Sequence, residues 1–143
     1  MKFMTEKILV PVDGSENSEK GLRYACRLAD KLRAKVTVLY VVTIPYTSTE
    51  QVLDVRPFVR DGQLILDKAK KIVEEEKCSA AVYELKQGGI GNPGNEIVKF
   101  GKEGGFSLIV MSARGHTALT HLLIGSVSDM VVHHASCPIL VVR

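Results

Sequence analysis

The fold of this chain is decided by residues 7–42, KILVPVDGSENSEKGLRYACRLADKLRAKVTVLYVV. Lys7–Asp13 is an apolar run with almost no alternation, which is typical of a strand buried on both faces. A helix follows, because apolar residues recur at helical spacing at Leu22, Ala25, Cys26, Ala29 and Leu32. Ser15 or Ser18 can serve as its N-cap. Lys35–Val42 is a second apolar run rich in β-branched residues, so the whole stretch predicts a β-α-β unit with parallel strands.

The same alternation continues to the carboxyl terminus. Thr43–Pro57 is polar and contains proline, and its length as a loop suggests a functional role. The elements predicted after it are a helix over Phe58–Lys77, a strand over Ala80–Gln87, a helix with Asn92 as N-cap and Pro93 as first residue running to about Glu103, a strand over Phe106–Met111, a helix from about Ser126 to Ala135, and a strand over Pro138–Arg143. The polarity of the third strand suggests a sheet edge. This order predicts a single α/β domain over residues 1–143, with a parallel sheet covered by helices on both faces.

Composition narrows the class of protein. The chain has 143 residues, of which 45% are hydrophobic and 24% charged, and this balance argues against disorder. The net charge of +3 is too small and dispersed to indicate a nucleic-acid partner. No apolar run reaches the roughly 18–20 residues of a membrane span, and the apolar stretch before Asp13 is too short for a signal peptide. The three cysteines, Cys26, Cys78 and Cys137, form no CxxC pair, so we expect a reduced cytoplasmic protein without a membrane partner.

Asp13 stands at the carboxyl end of the first strand, where a parallel sheet of this kind binds its ligands. Its carboxylate can accept hydrogen bonds from ribose hydroxyls or hold a metal ion through water. Alternatively, Asp13 with Gly14 and Ser15 only forms the turn into the helix. Both interpretations stay open at this point.

The stretch after the fourth strand, SARGHTALTHLLIGSVS over Ser112–Ser128, has the features of a phosphate site. Its glycines permit close backbone approach, its last helix offers N–H groups to an anion, and its basic side chains can add positive charge. The residues concerned are Arg114, Gly115, His116, Gly125 and Ser126. The alternative is a loop glycine followed by a helix capped by Ser126, with Asp129 completing a capping box.

Other motifs give weaker evidence of function. Gly89–Gly94 matches GxGxxG, but no acidic residue follows about 20 residues later, so turn and helix-start glycines are the better interpretation. Neither GxxxxGK[ST] nor GxSxG occurs, and we assign no catalytic residue. His133, His134 and Cys137 lack the further ligand of a metal site. We expect His134 to be partly buried, because it shares a helical face with apolar residues, and Cys26 to lie in the core.

Two segments resemble the universal stress protein family: ILVPVDGSENS near the amino terminus and LIVMSARG…GSVSDMVVHHASCPILVVR in the last third. ATP-binding members of that family carry a glycine, two residues, a second glycine, nine residues, a third glycine, and then serine or threonine. Gly115, the nine residues 116–124, Gly125 and Ser126 match that pattern. The position of the first glycine is Ser112 here. A Cβ at that position costs about 1–2 kcal/mol if its φ must be positive, and it would narrow the path of a triphosphate, which would favour AMP or ADP.

The resemblance implies a Rossmann-like five-stranded parallel sheet with strand order 3-2-1-4-5, of the adenine nucleotide alpha hydrolase-like type. It implies ATP or AMP as ligand, with or without Mg²⁺, with adenine and ribose near the first two strands and phosphates against the glycine loop and last helix. The residues that match family positions are Pro11, Val12, Asp13, Val41, Gly115, Gly125, Ser126, Val127 and Ser128. To these we add Met111, Ser112, Arg114 and His116 from their place after the fourth strand.

Three functions remain open. The first is a cytoplasmic regulatory protein that binds an adenine nucleotide, forms a homodimer through Pro138–Val142, and reports to a protein partner. The second is an enzyme, a slow ATPase or a protein that phosphorylates itself, although no general base or phosphate-binding lysine can be named. The third is a nucleotide-free dimeric scaffold, if Ser112 closes the site. Turnover separates the first two, and bound ligand separates the third.

Overall fold

The computed structural model describes residues 6–44, 54–78, 81–114 and 124–143. Strands and helices alternate along the chain as predicted. In chain order they are β1 (Lys7–Pro11), α1 (Glu16–Leu32), β2 (Lys35–Ile44), α2 (Arg56–Glu75), β3 (Ala81–Ile90), α3 (Gly94–Glu103), β4 (Leu108–Ser112), α4 (Ser126–His134) and β5 (Ile139–Val142).

The strands form one five-stranded parallel sheet in the order β3-β2-β1-β4-β5. β1 lies at the centre, where Ile8 pairs with Val36 of β2 on one side and with Leu108 of β4 on the other. β3 lies at one edge, as its polarity predicts, and β5 at the other. The sheet confirms the predicted fold class. Its strand order reverses between β1 and β4, which is where open α/β sheets bind ligands.

The core consists of two apolar layers, one on each face of the sheet. Ile8 and Val10 of β1 contribute to the layer beneath α1 and α2. Leu9, which points the opposite way, contributes to the layer beneath α3 and α4. All three side chains are fully buried, so the central strand needs apolar residues at consecutive positions, and this explains the unalternating run in the sequence.

Several element boundaries differ from those predicted. β2 extends to Ile44 and α2 begins at Arg56, so the predicted loop over Thr43–Pro57 is shorter at both ends, and its residues 45–53 lie outside the described part of the chain. β3 runs on to Ile90, because its pairing with β2 continues past Gln87 through an irregularity. β1 ends at Pro11, two residues before the predicted end. The Val12 N–H still donates to the Leu39 carbonyl of β2 at 2.9 Å, and beyond it the chain turns into α1.

The GxGxxG motif spans the end of β3 and the start of α3. α3 begins at Gly94, with Pro93 as its N-cap, so the prediction of Asn92 as N-cap is wrong by one residue. The Asn92 Oδ1 instead accepts a hydrogen bond of 2.7 Å from the Gly94 N–H, which forms a tight turn ahead of the helix. A Cβ on Gly94 would lie 2.5 Å from Met130 Cγ. This glycine therefore lets α3 pack closely on α4.

Candidate functional site

A cavity of about 390 Å³ lies at the carboxyl ends of β1, β2 and β4, beside the start of α4. Most of the residues that the sequence nominates line it: Pro11, Val12, Asp13, Val41, Met111, Ser112, Gly125, Ser126, Val127 and Ser128. Arg114 follows β4 and is half-buried, but it is not a lining residue. Gly115 and His116 lie outside the described residues. The fold thus gathers residues from both ends of the sequence into one cavity.

Asp13 is held by the turn between β1 and α1. Its Oδ1 accepts hydrogen bonds from the Ser15 N–H at 2.9 Å and from the Ser15 hydroxyl at 2.5 Å. The Ser15 Oγ in turn accepts a bond from the Ser18 N–H, which makes Ser15, rather than Ser18, the N-cap of α1. Gly14 has φ +84°, a conformation that glycine adopts readily. The turn interpretation of Asp13 is therefore confirmed, and the same residue also lines the cavity.

The start of α4 forms another wall of the cavity. Gly125 is the N-cap, in an extended conformation and without a side-chain cap, so the predicted capping box with Ser126 at the N-cap is wrong. The first intrahelical bond runs from the Asp129 N–H to the Gly125 carbonyl at 2.9 Å. The N–H groups before Asp129 have no acceptor within the helix, and the positive end of the helix dipole lies at the cavity. This arrangement is suited to an anion.

Hydrogen bonds fasten that wall to the end of β4. The Ser128 hydroxyl donates to the Ser112 carbonyl at 2.6 Å. The Gly125 N–H donates to the Ala113 carbonyl at 2.6 Å, while the Ala113 N–H donates to the Val142 carbonyl of β5 at 2.8 Å. Ala113 thus joins the last residue of β5 to the N-cap of α4, and the position of the helix start is set by the sheet.

Ser112 fits its position without backbone strain. Among the described residues other than glycine, only Arg33 and Lys77 have positive φ, so the cost considered for a Cβ at Ser112 does not arise. The side chain is 8% exposed, and its hydroxyl donates to the Arg114 carbonyl at 2.9 Å. The hydroxyl therefore has a partner within the protein at the edge of the cavity.

Tyr40 and Asp61 also line the cavity, and sequence reasoning missed both. Tyr40 precedes Val41 on β2, and Asp61 lies near the start of α2. Burial raises the pKa of the Tyr40 hydroxyl, and the negative charges of Asp61 and Asp13 raise it further. A Cβ on the neighbouring Gly62 would lie 2.6 Å from two atoms of the Tyr40 ring, so this glycine lets α2 approach β2. Gly62 is a signal in the sequence that could have indicated this approach.

The rest of the cavity lining is largely apolar. Its apolar side chains come from β2, α2, α3 and β4, namely Leu39, Ile65, Pro93, Ile97 and Met111. The cavity therefore combines an apolar surface, the carboxylates of Asp13 and Asp61, and a helix amino terminus. The apolar surface is suited to an apolar ring, the carboxylates to the hydroxyls of a sugar, and the helix amino terminus to an anion.

The histidines of α4 do not form part of this site. His134 is exposed, which corrects the prediction that it is partly buried, and its Nδ1 lies 2.9 Å from the Met130 carbonyl. α4 is short: it buries Ser128 and Val131, Val127 and Met130 are partly buried, and His133 and His134 in its last turn are exposed. Within the described ranges, no three His, Cys, Asp or Glu side chains are placed to hold a metal ion. None of the described helices is long and apolar enough to cross a membrane.

Comparisons with known sequences all point to the same family. Residues 4–143 match the sequence profile of the Universal stress protein family. Universal stress protein YxiE of Bacillus subtilis is 35% identical over 152 aligned residues, which cover 98% of this chain and 100% of the relative. A universal stress protein of Methanocaldococcus jannaschii is 34% identical over 154 aligned residues, covering 96% of this chain and 82% of the relative.

Solved structures share the fold over the whole length of the chain. Universal stress protein UspA from Lactobacillus plantarum superposes with a TM-score of 0.76 at 26% identity, covering 99% of this chain and 100% of that one. A universal stress protein solved in complex with cAMP has a TM-score of 0.74 at 20% identity, covering 96% and 97% of the two chains. The universal stress protein of Archaeoglobus fulgidus in complex with dAMP has a TM-score of 0.70 at 22% identity and covers 100% of both.

Proposed function

The chain belongs to the universal stress protein family, and we propose that it binds an adenine nucleotide, ATP or AMP, in the cavity at the carboxyl ends of β1, β2 and β4. The observation that carries the proposal is the joining of three environments in one cavity of about 390 Å³: an apolar surface, the carboxylate of Asp13, and the start of α4. The protein would act as a cytoplasmic regulator whose bound nucleotide is reported to a protein partner.

We propose a position in the cavity for each portion of the nucleotide. The adenine ring would lie against the apolar residues around Val41, and the ribose hydroxyls would donate to Asp13. The phosphates would accept hydrogen bonds from the N–H groups of Ser126 to Ser128 at the start of α4. Mg²⁺, where present, would be held by phosphate oxygens and water with Asp13 or Asp61, because ATP-bound Mg²⁺ needs few protein ligands.

Two neighbours support the choice of ligand class. The structures in complex with cAMP and with dAMP share this fold over nearly the whole chain, and both of those ligands are adenine nucleotides with one phosphorus group. The family pattern implies a glycine in ATP-binding members at the position of Ser112, which lines the cavity here, so we propose that AMP binds at least as well as ATP.

Gly125→Val tests the phosphate end of the site. Gly125 has φ −65° and ψ 161°, which valine can adopt, so the protein should fold. The added methyl groups would obstruct phosphate approach to α4, and we expect AMP and ATP affinity to fall about 10- to 30-fold in calorimetric titration. Gly89→Val is the matched control, because a Cβ there has no atom within 4 Å and the residue lies in β3. Equal nucleotide affinity in both variants would place the phosphates elsewhere.

We also propose that β5 pairs with its copy in a second chain to form a homodimer. β5 is an edge strand whose residues Ile139–Val142 are only partly buried, and antiparallel pairing with a second copy would satisfy its outward N–H and C=O groups. We expect a dimer by light scattering at tens of micromolar. Leu140→Pro, which removes a ladder donor, should leave monomers or an unstable chain, distinguished by circular dichroism. A monomeric wild type, or a folded and dimeric Leu140→Pro variant, contradicts the dimer.

A further inference from the structure

Two of the three cysteines meet beneath α1. Cys26 of α1 is 1% exposed in the core layer under α1 and α2, and the half-buried Cys78, between α2 and β3, packs against the same layer. Cys78 acts directly on the Cys26 thiol, so the two side chains are neighbours, and neither is in a disulfide. Cys137 packs against the layer on the other face of the sheet. The fold thus places one pair of thiols together and isolates the third.

Ion pairs hold the two thiol-bearing segments against each other. Arg23 and Arg27, which lie one turn before and one residue after Cys26 on α1, both bind Glu76, at 3.3 and 3.2 Å. Glu76 stands two residues before Cys78. The chain then turns at Lys77, with φ 55°, and the Cys78 N–H donates to the Val73 carbonyl at 3.1 Å. The ion pairs to Glu76 and the backbone bond of Cys78 therefore hold the two cysteines near each other.

The two thiols differ in their access to reagents. Burial raises the pKa of Cys26 to about 12, helped by the neighbouring Cys78 and Glu76, so this thiol stays protonated at neutral pH. Cys78 is partly exposed and lies in a connection outside any helix or strand, where it can meet a solute and move toward Cys26. Cys78 is thus the accessible partner and Cys26 the enclosed one.

We propose that Cys26 and Cys78 form a dithiol that hydrogen peroxide or an organic hydroperoxide converts into a reversible intramolecular disulfide. The Cys78 thiolate attacks the terminal peroxide oxygen and the O–O bond breaks, which leaves Cys78 as a sulfenic acid. The leaving hydroxide of hydrogen peroxide takes a proton to become water, and the leaving alkoxide of an organic hydroperoxide takes a proton to become an alcohol. The Cys26 sulfur then attacks the Cys78 sulfur. The S–O bond breaks, the hydroxyl leaves with the Cys26 proton as water, and the disulfide forms. In sum, two thiols and one hydrogen peroxide give a disulfide and two waters.

The disulfide would join the middle of α1 to the connection between α2 and β3. The loop it closes contains β2 and α2, and therefore Tyr40 and Asp61 of the cavity, but not Asp13 or α4. A crosslink across such a long loop restricts the unfolded chain, so the oxidised form should unfold at a higher temperature, by roughly 5–10 °C.

The test uses the full chain treated with hydrogen peroxide and then assayed for free thiols under denaturing conditions. We expect the count to fall from the three thiols of the sequence to one, with recovery after a dithiol reductant. Peptide mass spectrometry should find Cys26 linked to Cys78. Cys137→Ser should oxidise in the same way, whereas Cys78→Ser should form no internal disulfide. Cys26→Ala serves beside it as a second variant that keeps this core position apolar.

Other outcomes overturn the proposal. Three free thiols after peroxide treatment, a linkage that includes Cys137, or disulfides formed only between chains would each show that Cys26 and Cys78 are not a functional pair. Conversion of Cys78 to sulfinic acid in the wild type would show that Cys26 does not capture the sulfenic acid. None of these readouts requires a nucleotide, so the result is independent of the function proposed for the cavity.

Discussion

Replacing Asp13 with alanine should weaken binding of ATP and AMP by about 10- to 150-fold, because hydrogen bonds from ribose hydroxyls to a charged acceptor contribute about 1.5–3 kcal/mol. Calorimetric titration with each nucleotide measures the change. Asp13 also accepts hydrogen bonds from Ser15 in the turn before α1, so the alanine variant loses both roles.

Asp13→Asn separates those two roles. Its amide oxygen can still accept from Ser15, so the turn is preserved while the negative charge is lost. We expect the asparagine variant to keep the thermal stability of the wild type and still bind nucleotide more weakly. Asp30→Ala, on the exposed side of α1, is the control and should bind normally. Unchanged nucleotide affinity in both Asp13 variants would remove the ribose contact from the proposal.

Leu9→Ala should lower the free energy of unfolding by about 2–5 kcal/mol, because it leaves a cavity in the centre of the sheet. Leu9 is 0% exposed and lies in β1 against the layer under α3 and α4. Leu64→Ala is the same substitution on α2 at a side chain that is 62% exposed, and it should change the free energy of unfolding by less than about 0.5 kcal/mol. Urea denaturation measures both. Equal losses would mean that β1 is not the centre of the core.

The fold was predictable because its signals are local. An unalternating run such as that around Leu9 indicates a strand covered on both sides, and the polarity of β3 indicates an edge. Boundaries were less predictable, because pairing with a neighbour decides them: β3 continues through Gly88 and Gly89, residues that favour turns, since β2 still runs beside it. The prediction that His134 is partly buried was wrong for a related reason. Helical spacing placed it beside Val131, but α4 is too short for its end to be covered.

The lining of the cavity was predictable where residues follow strands in the sequence, as Asp13 follows β1 and Ser112 ends β4. Tyr40 and Asp61 were not, because their place depends on how closely α2 packs on β2. That distance is set by Gly62, whose missing side chain leaves room for the Tyr40 ring. A charged residue on an amphipathic helix gives no local sign that it lies over the end of a sheet.

The two hydrogen bonds of Ala113 have a thermodynamic consequence. Its N–H donates to the carboxyl end of β5 and its carbonyl accepts from the N-cap of α4, so one residue is hydrogen-bonded to both the edge strand and the proposed phosphate wall. If β5 shifts when it pairs with its copy in a second chain, Ala113 would transmit the shift to the start of α4. If pairing multiplies nucleotide affinity by some factor, linkage requires nucleotide to multiply the association constant of the chains by that same factor. Nucleotide binding and dimer formation would then be thermodynamically coupled.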